Sequence, residues 1–353
     1  MSDIATNIKS SAPALPEMIA LWRRLLGLEA IGPDDDFFDL GGDSLLALNL
    51  FHELEGLTGR TLPITAIYDA PTPAKLLALF GEATPAPAPF SPLVLLKPGN
   101  DAAPLFILHG IGGNVIEIER FGRLIDTARP VYGVQARGVD GASPPFQTIA
   151  EMADYDLAAI RAVQPNGPYF LAGYSFGGLV ALEMARRLGA AGEHVGLLAL
   201  IDCFPHPDAF PKWLRQWVRV KVMVDAFRTM PIRQSIRFNL ARLLHRGDAA
   251  ARGGFMRARL DADVVTPVER RVYDASFHAL SDYRPLPYPG AITFFRPAIS
   301  IFPIAPRLYW GRRVGAIELQ PVAGDHDGLM REDAASLAAA LSRSLHIAAN
   351  GDA

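Results

Sequence analysis

Between Glu82 and Leu93 the chain reads ATPAPAPFSP, and no other stretch limits its folding more. Pro85, Pro87, Pro89 and Pro92 alternate with small residues. Each fixes its own φ and removes an N–H, so neither a helix nor a central strand can run through. Residues 83–92 are therefore expected to form a semi-extended tether between two separately folded parts. Proline-rich stretches also serve as recognition ligands, but the basic flank common to such ligands is missing here. A chain of 353 residues is in any case long for one core, since domains of roughly 100–200 residues are usual.

The two sides of the tether carry different hydrophobic periods. Over residues 1–82, apolar residues recur at helical spacing, at Met18, Trp22, Leu25 and Leu26 and again at Leu45, Leu48 and Phe51, which predicts a small all-α domain. Over residues 93–353, β-rich runs such as PLFILHG, PVYGVQARG, PYFLAGY and VGLLALID alternate with amphipathic stretches such as Gln147 to Val163. That alternation predicts an α/β domain with a mainly parallel sheet covered by helices. From Cys203 to about Asp282 it gives way to PKWLRQWVRVKVMVDAFRTMPIRQSIRFNLARLLHRG, read as a helical lid over residues 204–282.

Within the second domain, PYFLAGY runs directly into Ser175 and then FGGLVALEMARRL, whose Leu179, Leu182 and Ala185 suit a helix packed on a sheet. GYSFG is thus a GxSxG in strand, turn, helix context. Such a turn is strained and crowded, which asks for small residues at Gly173 and Gly177 and leaves the serine oxygen at the carboxyl edge of the sheet.

Serine is a weak nucleophile at neutral pH and needs a base held by a carboxylate. Late in the chain, GAIELQPVAGDHDGLM reads as a strand followed by a glycine-led loop carrying His326, the expected general base. His109 is the main rival, but its place just after an early strand suits an oxyanion loop better. For the acid, Asp202 ends VGLLALID, and a buried strand-end carboxylate needs a partner such as an imidazole. Asp325 and Asp327 compete, yet residues adjacent to His326 point away from its ring in extended chain. HGIGGN, residues 109–114, can offer backbone N–H groups to an oxyanion, with Ile111 and Phe176 as the expected donors. A dinucleotide loop is the alternative for these glycines, but the next strand ends QARG, without the acidic residue that would hold a ribose.

In the first domain, DDDFFDLGGDSLLALNLF presents Ser44 at the start of an apolar helix. With its flanks, over residues 15 to 82, this arrangement resembles a peptidyl or acyl carrier domain. The resemblance implies a four-helix carrier in which Ser44 bears covalent 4'-phosphopantetheine, attached by a phosphopantetheinyl transferase. An exposed hydroxyl at a helix start is accessible to such an enzyme, and the helix N-terminus favours the phosphate.

Over residues 93 to 345, TIAEMADYDLAAIRAVQPNGPYFLAGYSFGGLVALEMARRLGAAGEHVGLLALIDCFP, with HGIGG before it and GDH after it, resembles the type I thioesterases that end nonribosomal peptide and polyketide assembly lines. The resemblance implies an α/β-hydrolase fold, and it puts nucleophile, acid and base on Ser175, Asp202 and His326, in agreement with the reading from the residues. It also implies upstream assembly-line enzymes that load the carrier with an acyl or peptidyl thioester. Where relatives have an aromatic or small residue after GDH, Asp327 stands here, a carboxylate placed to raise the pKa of His326. The expected reaction is hydrolytic off-loading through an acyl-Ser175 intermediate, with acyl transfer or macrocyclisation as the variant. A non-catalytic docking module is the reading of another class, and a general lipase or esterase a third.

Charge and composition narrow the partners. A net charge of -3 gives no general argument for nucleic acid. From Lys212 to Arg259, however, twelve Lys or Arg face only Asp225 and Asp248, whereas residues 1–82 hold 5 basic and 12 acidic side chains. The basic lid, Arg215 and Arg219 included, is expected to attract the acidic carrier; a membrane-surface helix bearing Trp213, Trp217, Val220 and Val224 is the alternative. No nucleic-acid motif accompanies the charge, and no metal is expected. A single cysteine, Cys203, excludes an internal disulfide and points to a reducing compartment, the cytoplasm. No signal peptide and no run of 18 apolar residues is apparent, so stable membrane insertion is not expected.

Overall fold

The computed structural model describes residues 13–42, 44–60, 62, 66–81, 90–204, 210, 212–213, 216–217, 220, 266–300 and 305–351. The chain divides into two compact units, Met1–Phe90 and Ser91–Ala353.

Among the described residues the first unit contains four helices, α1 (Leu15–Leu26), α2 (Ser44–Thr58), α3 (Ala66–Asp69) and α4 (Pro73–Gly81). In α1, Met18, Leu21 and Trp22 fall on one face and are buried, as their spacing demands. The helix starts with the Glu17 carboxylate accepting the Ala14 N–H and stops at Gly27, whose φ of 67° ends the helical path. Trp22 meets the edge of Phe37 at 5.2 Å, and Leu50, Leu54, Ile67 and Leu76 complete the core. The acidic run before α2 is pinned by Phe37, which is buried and whose N–H donates to the Pro71 carbonyl.

The second unit is built on a seven-stranded sheet in the order β1-β3-β2-β4-β5-β6-β7. The strands are β1 (Leu93–Lys97), β2 (Leu105–Leu108), β3 (Val131–Val134), β4 (Tyr169–Tyr174), β5 (Val195–Ile201), β6 (Tyr288–Ile299) and β7 (Val314–Asp325). Only β1 is antiparallel to its neighbour. Strands β2 and β4 are buried at every position, which explains their unbroken apolar sequence. The helices bounded within the described residues are α5 (Ile116–Leu124), α6 (Ile149–Val163), α7 (Phe176–Ala190), α8 (Pro267–Asp282), α9 (Arg307–Trp310) and α10 (Ala334–Gly351).

The connection from β2 to β3 moves one way along the sheet, and that from β3 to β4 crosses back over β2. With right-handed crossovers, α5 and α6 therefore lie on opposite faces. In keeping with this, α5 packs with α10 and α6 with α7. The strand order reverses between β2 and β4, and the carboxyl ends of strands at such a point are the usual place for a ligand in an open α/β sheet.

Several boundaries follow local chemistry. The Thr148 hydroxyl accepts the Glu151 N–H and starts α6, just inside the stretch read from Gln147. A capping box of Thr266 and Glu269 starts α8. Most of the basic lid stretch, including Arg215, Arg219, Val224, Asp225, Asp248 and Arg259, lies outside the described residues, as do residues 83–89 of the tether. Of the rest of that stretch, Lys212, Trp213, Trp217 and Val220 are exposed. Among the described residues no helix is long and apolar enough to cross a membrane.

Candidate active site

Strand β4 hands over to helix α7 through one residue, Ser175, with φ 52° and ψ -115°. A positive φ on a residue with a Cβ is strained and persists only where surroundings enforce it. Here Ser175 donates its N–H to the Ile201 carbonyl and its own carbonyl accepts the Gly178 N–H. The crowding expected at the flanking glycines is real: a Cβ on Gly173 would lie 2.5 Å from the Gly177 carbonyl oxygen, and one on Gly177 would lie 2.2 Å from the carbonyl oxygen of His109. The turn therefore presses against the loop after β2, which is why neither position can carry a side chain.

Asp202 follows β5 directly, also at positive φ, 43°, with its N–H donated to the Phe295 carbonyl. Its carboxylate is fully buried. His326 follows β7, and its Nδ1 lies 2.6 Å from Asp202 Oδ2, so two residues 124 positions apart meet because β5, β6 and β7 are parallel neighbours ending at the same edge. Burial works against a charge on His326, but the hydrogen bond and charge of Asp202, helped by Asp327 and Glu117, outweigh it and raise its pKa above 6.5. The bond to Asp202 takes Nδ1 and leaves Nε2 as the free basic nitrogen.

Competing assignments resolve differently. His109 is buried and stacks on Phe176. Burial lowers its pKa to about 4, although its bond to the Gly110 carbonyl opposes this. It is therefore neutral and donates Nδ1–H to that carbonyl, a loop-shaping role. The Asp325 carboxylate is turned to the backbone and accepts the Gly328 N–H at 2.8 Å. Ile111 sits in the turn closed by the Gly113 N–H on the Gly110 carbonyl. Phe176 opens α7, so its N–H belongs to the first turn, whose donors have no partner within the helix.

Two further side chains belong to this centre. Tyr174 stacks on the His326 ring, centroids 5.1 Å apart, and donates its hydroxyl to the His326 carbonyl at 2.8 Å. Glu117, in the first turn of α5, places its carboxylate so close to Gly110 that a Cβ there would meet Oε2 at 2.7 Å. Neither stood out in sequence. Tyr174 is merely the variable residue of GxSxG, and an acid in a first turn is already accounted for by the helix dipole.

In the first unit, Ser44 is the first residue of α2. Gly42 precedes it, packed so tightly that a Cβ would sit 2.4 Å from the Phe37 ring. The acidic loop is thus held against the core as it delivers Ser44 to a helix N-terminus, a place whose free N–H groups suit a phosphodiester. The residues present fit a phosphopantetheine attachment point.

Comparison with known proteins agrees with both units. Residues 17–80 match the Phosphopantetheine attachment site family, and residues 103–237 match the Thioesterase domain family. The chain carries a carrier domain and a thioesterase domain. Among curated relatives, the indigoidine synthase of Dickeya dadantii (strain 3937) is 40% identical over 196 residues, 56% of this chain and 13% of that protein. The dimodular nonribosomal peptide synthase of Bacillus subtilis (strain 168) is 31% identical over 308 residues, 84% of this chain and 12% of that protein. The chain thus corresponds to about an eighth of the length of these relatives.

Among solved structures, the thioesterase domain of NocB from the nocardicin cluster superposes with a TM-score of 0.51 at 22% identity, over 72% of this chain and all of that domain. The four-domain nonribosomal peptide synthetase AB3403 gives a TM-score of 0.58 at 24% identity, over 98% of this chain and 27% of that one. These likenesses establish the α/β-hydrolase fold of the thioesterase domain behind a helical carrier domain. A thioesterase domain implies a hydrolase of thioesters, and a phosphopantetheine attachment domain implies modification by a phosphopantetheinyl transferase.

Proposed function

We propose that the chain off-loads an acyl, peptidyl or polyketide chain from a phosphopantetheine carrier by hydrolysis, through an acyl intermediate on Ser175. The observation that carries this reading is the 2.6 Å contact between His326 Nδ1 and Asp202 Oδ2 at the sheet edge where the strained Ser175 turn ends β4. Ser44 is the attachment residue. When bound there, or on an equivalent carrier, the pantetheine arm supplies the thioester carbonyl that is attacked.

The chain's own groups do the rest. His326 Nε2 takes the proton of Ser175 Oγ as that oxygen attacks, while Asp202 fixes the tautomer and stabilises the imidazolium. Ile111 and Phe176 N–H groups receive the negative charge on the carbonyl oxygen, and being fixed beforehand they need no reorganisation. His326 returns its proton to the departing thiolate. It then removes a proton from water as that water attacks the acyl-serine, and passes it to Ser175 Oγ as the acyl–Oγ bond breaks and the free acid leaves.

Incubating the full chain with a phosphopantetheinyl transferase and coenzyme A, then with an acyl donor, tests both roles by intact-protein mass. A pantetheine-sized gain is expected and should vanish in Ser44→Ala, while Ser175→Ala should keep the acyl group that the parent releases as free acid. Release by Ser175→Ala at the parent rate would overturn the nucleophile, and a cyclic or transferred product in place of the acid would overturn hydrolysis.

A further inference from the structure

Glu117 is an ionisable side chain set against the loop after β2, with His326 and Asp327 of the loop after β7 within electrostatic reach. The residue is half-buried, and its carboxyl group lies against the loop, with Oε2 and Oε1 at 2.7 and 2.9 Å from where a Gly110 Cβ would be. The Gly110 backbone favours its ionised form, the effect of a nearby N–H on a carboxylate. This Gly110 is the residue between His109 and Ile111, so the carboxylate holds the loop whose next N–H faces the reacting carbonyl in the reading above.

The charged and titratable groups facing Glu117 come from every neighbouring element: His326 and Asp327 from the loop after β7, Arg331 beyond the short 3-10 turn at Gly328–Met330, Tyr174 at the end of β4 and Tyr273 on α8. His326 feels Glu117 in turn, together with Asp202 and Asp327.

We propose that Glu117 is a positioning residue of the thioesterase, holding the HGIGG loop through the Gly110 N–H and sharing, with Asp202, the positive charge that develops on His326. The proposal rests on the assignment of Ser175, Asp202 and His326 made above. No proton passes to Glu117 in the reaction: the one leaving Ser175 Oγ goes to His326 Nε2 and then to the leaving thiolate. Glu117 acts by its charge and its hydrogen bond.

Two of its neighbours pull in opposite directions, which makes the role measurable. Burial raises the Glu117 pKa to about 7, against the favourable influence of His326 and with the support of Asp327. Near neutrality the carboxyl therefore changes charge beside the base. When ionised it holds the proton on His326 more firmly, which delays the appearance of free base as pH rises, yet it also stabilises the imidazolium formed in each attack. Removing the charge should move these two quantities together.

The test compares kcat/KM against pH for hydrolysis of a soluble acyl-pantetheine thioester by the full chain, Glu117→Gln and Glu117→Met. In Glu117→Gln, the rise of kcat/KM should move to lower pH by roughly half a unit or more, and plateau kcat should fall roughly three- to tenfold, with KM within twofold. Glu117→Met, usable should the Gln variant not fold, should show the same acid shift with a larger loss of kcat, because the Gly110 N–H loses its acceptor. Curves superimposable on the parent's in either folded variant would overturn the proposal. Labelling the parent with a fluorophosphonate keeps the two readings apart: absence of the label from Ser175 removes the triad and this proposal with it, whereas labelled Ser175 with unshifted curves removes only the role of Glu117.

Discussion

The hydroxyl of Tyr174 donates to the backbone carbonyl of His326 at 2.8 Å while the two rings stack 5.1 Å apart. The residue immediately before Ser175 thus grips the loop of the base both by its main chain and by its ring. Strand β4 and the loop after β7 are thereby held as one unit across the sheet edge.

Tyr174→Phe keeps the stacked ring and deletes the hydrogen bond. A single bond of this kind contributes about 1 kcal/mol, so kcat should fall roughly three- to tenfold with KM nearly unchanged. Steady-state hydrolysis of a soluble thioester checks this; an unaltered kcat would show that the loop keeps its place without the bond.

Asp202→Asn should lower kcat by roughly 10³–10⁴, as loss of the orienting carboxylate does in serine hydrolases generally. The same change removes the main influence that raises the His326 pKa, leaving only the smaller ones of Asp327 and Glu117 against burial, which lowers it. The imidazole should then titrate at lower pH than in the parent, observable as the His326 ring-proton shift in an NMR titration.

The two shifted groups make opposite contributions to stability. A histidine whose pKa is raised in the folded state stabilises the fold fully below the ordinary 6.5, and that stabilisation is lost as pH rises through its folded value. Glu117, raised from 4.5 to about 7, costs nothing below about pH 4.5; between these values the folded protein retains a proton that the unfolded chain has shed, and stability falls with pH. Denaturant melts should find His326→Gln destabilised more at pH 5.5 than at pH 9. Glu117→Gln should gain on the parent above pH 7, by on the order of 2 kcal/mol.

Gly177→Ala would drive a methyl group to 2.2 Å from the His109 carbonyl oxygen. The obstacle is backbone, so it cannot rotate away, and the elbow or the loop after β2 must shift. A loss of about 2–4 kcal/mol and more than about a hundredfold in kcat is expected. Gly189→Ala, also within α7 but with nothing within 4 Å of its Cβ position, should instead be stabilising by about 0.5–1 kcal/mol, which makes it the control in a thermal melt.

The strand-end positions of Ser175, Asp202 and His326 were legible because each has a recognisable neighbour: a GxSxG turn, the last apolar residue of VGLLALID, and a glycine-led loop. Periodicity sufficed for these because β4, β5 and β7 are regular and their ends coincide. Strand β6 was not singled out, although it is what lines β5 up with β7 and so brings Asp202 to His326. Its alternation is broken by Pro289, Gly290 and Pro297. Glu117 was illegible for a different reason. Its meaning comes from Gly110 close by and from His326 two hundred residues later, and a first-turn acid has an ordinary local explanation that conceals both.

The chain leaves the sheet frame just after Asp202, where the Cys203 carbonyl accepts the Trp310 indole N–H, and returns through the capped start of α8 at Thr266. Both departure and return are anchored by their own bonds. Asp202 and His326 thus owe their spacing to the frame of β5, β6 and β7, which is clamped at both of these points.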